Sequence, residues 1–169
     1  MSARPTFAGW VRRAALVTLA LSLLAAPISA AASTETQTKQ LLDGLIPYAH
    51  GVLERTGSFS PFGGGLSPDG KVHFMSGKSP DGQRLDAAGL RALLVDSLPG
   101  MVQPKGFVAA AVLSDTTVRD PQSRQLVRAV RADLRFRGGQ TETLFIPYSQ
   151  NNEGKLSFRP SIKNVDGLR

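Results

Sequence analysis

The chain has 169 residues, with 20 basic against 13 acidic side chains, a formal net charge of +7 and no cysteine. The missing cysteine excludes disulfides, thiolate metal sites and a lipoprotein cleavage cysteine. The positive balance comes without an aromatic–basic motif, which argues against nucleic acid and leaves acidic proteins or polymers as the charge-matched partners.

Arg4, Arg12 and Arg13 precede an apolar run at 14–27, followed by small residues around Ala30, Ala31 and Ala32. This is the pattern of a secretory signal peptide cut after one of those alanines. The apolar run is shorter than the ~20 residues that span a bilayer, so no transmembrane segment is expected after cleavage. The expected organisation is a leader at 1–32, one domain at 33–159 and a loose tail at 160–169, in a periplasmic or secreted protein. Removing the three leader arginines leaves seventeen basic and thirteen acidic residues, a net +4.

Thr34-Glu35-Thr36-Gln37 has the form of a capping box, and Leu41, Leu42, Leu45, Ile46, Ala49, Val52 and Leu53 follow at helical spacing. The spacing predicts a helix kinked at Pro47, ending near Arg55 with Gly57 just beyond. Two strands, 59–66 and 71–76, flank the turn Ser67-Pro68-Asp69-Gly70, and a second Ser-Pro-Asp-Gly at 79–82 predicts another turn. Asp86 is the expected cap of a second helix with a Leu90, Leu93, Leu94, Leu98 stripe, stopped by Pro99-Gly100.

Residues 106–114 are apolar on both alternations and predict a central strand covered on both faces. Over 127–137 the period is two: Val130, Ala132, Leu134 and Phe136 face one way, Arg131, Asp133, Arg135 and Arg137 the other. A three-residue loop at Gly138-Gly139 is expected to set Leu134 opposite Leu144, on a strand whose apolar set is Leu144, Ile146 and Tyr148. A last strand at 155–159 completes the order helix, hairpin, helix, four strands. That order predicts an α+β domain in which two helices pack on one face of a mainly antiparallel sheet.

Gly63 to Lys71 reads GGGLSPDGK, the outline of a phosphate-binding loop. Val72 stands where that loop needs Ser or Thr, and a strand pattern follows where it needs a helix, so the segment is read as a turn. Gly63, Gly64 and Gly65 mark a bulge or a tightly packed neighbouring helix, or else a backbone cleft for a ligand or partner segment. His50, Glu54 and His73 lack the spacing of a zinc site, no serine sits in a nucleophile elbow, and the acids are scattered. No catalytic residue, metal or cofactor is therefore assigned. The most pointed feature is arginine: Arg131, Arg135 and Arg137 share one strand, Arg128 lies just upstream and Arg159 on a later strand. Their forks suit carboxylates and phosphates.

At Gly57-Ser58-Phe59-Ser60-Pro61-Phe62-Gly63, with Asp69-Gly70-Lys71-Val72 after it, the chain resembles a bacterial domain family of unassigned function. Its members carry Gly-Glu-Phe-Tyr-Pro-Phe-Gly, an Asp-Gly turn and a Phe-(Leu/Ile)-Pro-Tyr strand, here Phe145-Ile146-Pro147-Tyr148. Ser58 and Ser60 stand where that family has Glu and Tyr, so no role of those side chains is carried over. The resemblance implies the fold and supplies no activity.

The resulting expectation is an exported, non-enzymatic domain that binds an envelope protein or acidic polymer, in the manner of an inhibitor or immunity protein. The alternatives are a small periplasmic hydrolase using His50 or His73, and an accessory component of a wall or secretion assembly.

Overall fold

The computed structural model describes residues 28–77 and 85–163. The expected leader lies outside these except for residues 28–32, and the second Ser-Pro-Asp-Gly turn at 79–82 lies outside them altogether. Among the described residues, no helix is long and apolar enough to cross a membrane.

Helix α1 spans Ile28–Thr56. It starts six residues before the expected cap, because the alanines ahead of Thr34 are strong helix formers and extend the turn. Pro47 stays inside the helix, leaving the Asp43 carbonyl without its usual donor. The helix stops as the glycine predicts: Gly57 has φ +73 and its N–H donates to the Leu53 carbonyl at 2.8 Å.

Strands β1 (Phe62–Leu66) and β2 (Val72–Met75) form the hairpin. Its turn closes through Gly70 N–H donating to the Ser67 carbonyl at 2.9 Å, with Gly70 at φ +81. The Lys71 ammonium, 2.8 Å from Asp69, and the Ser67 hydroxyl hold the Asp69 carboxyl down at about 2. The GGGLSPDGK stretch is thus a strand, a turn and the start of a second strand.

Helix α2 spans Ala87–Met101 and is capped by Asp86, which accepts from Gly89 N–H at 2.7 Å. Pro99 does not stop it. Proline loses one donor but keeps a helical φ, and its carbonyl is taken by the Gln103 amide at 2.8 Å, so the helix runs on to Met101.

Strands β3 (Ala109–Arg119), β4 (Leu126–Phe136), β5 (Thr141–Gln150), β6 (Leu156–Phe158) and β7 (Ile162–Lys163) complete the sheet. The order is β2-β1-β3-β4-β5-β6, every pairing is antiparallel, and β7 also pairs with β5. The segment expected to be a loose tail therefore begins as a strand, held by Ile162 opposite Phe145 and by Lys163 2.6 Å from Glu142. The β4–β5 loop has three residues, but they are Arg137, Gly138 and Gly139: Phe136 N–H donates to the Gln140 carbonyl at 2.9 Å. Both glycines need left-handed φ, +101 and +90, which fixes the turn there and sets Leu134 opposite Glu142 and Ala132 opposite Leu144.

The α+β class and the element order are as predicted, but the two helices lie on opposite faces of the sheet. Leu41, Leu45, Ala49 and Leu53 of α1 pack with Ala109, Ala111, Leu113, Val130, Ala132 and Leu134. Leu94 and Leu98 of α2 pack with Ala110 and Val112, the alternate residues of the same strand. Neighbouring strand residues point to opposite faces, so β3, buried throughout 109–114, sits between the helices. A leucine stripe states that a helix buries one side; it does not state which side of the sheet receives it.

Candidate functional site

The pleat of β4 decides where the arginines go. Arg131, Asp133 and Arg135 point to the α2 face, while Val130, Ala132, Leu134 and Phe136 point into the α1 core. Arg131 folds along its strand onto the residue two ahead: its Nε lies 3.0 Å from each Asp133 oxygen and its Nη2 2.8 Å from Oδ1. The same guanidinium lies over the Phe145 ring, 5.7 Å from its centre. Arg91 comes from α2 with Nη1 2.9 Å from Asp133 Oδ2, and the Thr143 hydroxyl donates to Oδ1 at 3.0 Å. One buried carboxylate thus fixes two guanidiniums by charge-assisted hydrogen bonds, and ties α2 to the sheet. Arg135 is half-buried and has no hydrogen bond or ion pair among the described residues. Ser114, opposite Arg131 in the β3–β4 register, is buried with its hydroxyl unpartnered there.

The other three arginines expected to join this surface do not. Arg137 lies beyond the end of β4, where its Nη2 donates to the Gly106 carbonyl at 3.0 Å and to the Gln103 and Phe107 carbonyls at 3.4 Å each. It holds the connection between α2 and β3. Arg128 is an even-numbered residue of β4 and so points to the α1 side. There its Nη2 is 2.6 Å from Asp115 Oδ2 and from the Gly57 carbonyl, and its guanidinium lies 5.0 Å from the Tyr148 ring centre. Tyr148 donates to Asp115 Oδ1 at 2.7 Å; burial first, and that acceptor second, push its phenol well above the usual tyrosine range.

Arg159 reaches from the β6–β7 connection to Asp120 Oδ2 at 2.8 Å, at the tip of the β3–β4 hairpin. Asp120 Oδ1 also accepts from Ser123 and Gln122 N–H groups. Those backbone donors, then Arg159, hold its carboxyl below the ordinary 3.8. Strand-wise spacing alone had gathered five arginines; the pleat, the turn and three acids divide them, leaving Arg91, Arg131 and Arg135 against Asp133 on one face.

Gly63, Gly64 and Gly65 are buried in β1. A Cβ on Gly64 would lie 2.5 Å from Leu45 Cδ2, and one on Gly65 would lie 2.3 Å from the Phe107 ring. At Gly63 the nearest atom would be the Ala111 carbonyl oxygen at 3.1 Å. The space the glycines leave is taken by α1 on one face and by Phe107 on the other.

His50 Nδ1 is 3.5 Å from Glu54 Oε2 on the partly exposed flank of α1, with its ring against Phe158. His73 is exposed on β2 against Phe107, and its register partner Gly65 sets it on the α2 face. The two histidines are therefore on opposite sides of the sheet. Among the described residues, no three of His, Asp and Glu group as metal ligands.

Two features were not legible in the sequence. Arg91 reaches Asp133 across 42 residues, a tertiary contact with no local signal. Tyr48 and Phe74, 52% and 54% exposed, form an open aromatic group with Phe62 at the outer edge of the sheet; alternation in β2 indicated only that Phe74 has a side. Comparisons of the chain with family models, with curated proteins and with solved structures find no match.

Proposed function

We propose that this chain is an exported domain that binds an acidic macromolecular partner of the cell envelope, in the manner of an inhibitor or immunity protein, through the α2 face of its sheet. The observation that carries this reading is the arithmetic of that face: among the described residues, three arginines stand against one carboxylate. Asp133 holds Arg131 and Arg91 in fixed orientations, and Arg135 beside them has no acidic partner among the described residues. Fixed guanidinium forks lose little side-chain freedom when a carboxylate or phosphate arrives, so the surface is prepared for bidentate recognition. The signal-peptide pattern supports export, and the family resemblance supports the fold alone.

The test is comparative capture from envelope extract, with the mature domain and an Arg135→Glu copy run at low and high salt. The expected result is a retained acidic protein or polymer that salt releases and that the Arg135→Glu copy fails to hold. Equal retention by both folded copies would remove Arg135, and with it this face, from the binding role.

A further inference from the structure

We propose that β2 is a dimerisation edge, on which a second copy of this chain adds its own β2 antiparallel and continues the sheet across a two-fold axis.

The two edges of the sheet are built differently. Beyond β5 the chain lays down strands of only three and two residues, separated by Pro160 and ending in Lys163, devices that discourage further pairing. At the other edge β2 reads Val72-His73-Phe74-Met75, with no proline, lysine, arginine or carboxylate and no bulge in its register with β1. Lys71, the residue immediately before it, is directed to Asp69.

Among the described residues, no strand pairs with the outer side of β2. Ser67 N–H donates to the Lys71 carbonyl, and two-residue alternation along the β1–β2 register turns the polar groups of His73 and Met75 inward as well. Val72 and Phe74 therefore direct their N–H and C=O groups outward. Phe74 is also the exposed apolar side chain of this edge, lying beside Tyr48 with ring centres 5.6 Å apart.

A second copy fits both features. With the two-fold axis at Phe74, the Phe74 residues form a hydrogen-bonded pair and Val72 faces Ser76 of the other copy. His73 faces Met75, and no like charges oppose one another. Both Phe74 rings fall on the α1 side, flanked by the two Tyr48 rings, so the exposed aromatic group closes on itself. Identical strands paired this way give a self-complementary contact that ends at the dimer. Arg135 is not on this edge, so dimerisation and the arginine-face reading stand or fall separately.

The absence of cysteine makes the test clean. The native chain should sediment at twice its monomer mass, whereas Phe74→Lys, which sets like charges on the axis, should sediment as a monomer with unchanged far-ultraviolet circular dichroism. Phe74→Cys should form a disulfide-linked dimer under mild oxidation at least about tenfold faster than Leu126→Cys, an exposed position on β4, because pairing raises the local thiol concentration. A native chain that stays monomeric at all attainable concentrations would overturn the proposal, as would equal crosslinking at 74 and 126.

Discussion

The α1 side of the sheet presents Leu113, Val130, Leu134, Leu144 and Ile146 to a helix of 29 residues, while the α2 side presents Ala110 and Val112 to one of 15, gathers Val118, Val127, Ala129 and Phe145 in a separate small cluster, and carries Arg131, Asp133 and Arg135 on β4. Both faces are made by the same strands, and only the parity of each residue separates them. Apolar burial on the first face is the larger of the two, at roughly 2 kcal/mol for each fully buried leucine. The second face keeps a smaller apolar patch, and its charges need an internal carboxylate to stay in place. The apolar core face and the proposed recognition face are thus separated by a single peptide unit.

The separation can be broken at graded cost. The largest effect is expected on the α1 face, where Leu45→Ala empties the space over Gly64; denaturant titration should show a loss of about 2–5 kcal/mol. Next is Asp133→Asn, which leaves Arg91 and Arg131 without their shared acid. Both guanidiniums are about a third exposed, so the expected cost is about 2 kcal/mol, below that of a fully buried pair, and the contact between α2 and β4 should lose hydrogen-exchange protection.

How much of this the sequence showed depends on how local the information is. The β4 alternation, the Asp86 cap and the Gly57 stop are each written within a few residues, and all three are found where expected. The register slipped because Gly138 and Gly139 both take left-handed φ and pull Arg137 into the loop, which adjacent glycines alone do not announce. The side taken by α2 and the partners of the arginines are set across the chain: Arg91 with Asp133, Arg128 with Asp115, Arg159 with Asp120. Each guanidinium finds an acid remote in sequence or across a hairpin, so counting arginines along one strand overestimated the shared surface.

Two smaller effects sharpen the comparison. Tyr148→Phe removes one hydrogen bond to Asp115 on the α1 side and should cost about 1 kcal/mol by thermal or chemical unfolding. Asp120 gives a pH signature. Its folded pKa lies below the ordinary 3.8, so its contribution is present above that value and is lost as pH falls through the folded pKa. Urea midpoints of the native chain and Asp120→Asn should therefore differ at neutral pH and converge in acid.

The most direct test is Arg135→Glu alone, followed by both unfolding midpoint and capture of the acidic partner. The account predicts a midpoint within about 0.5 kcal/mol of native, since Arg135 has no internal partner among the described residues, together with loss of capture. A folded Arg135→Glu chain that still captures the partner at full strength would contradict it.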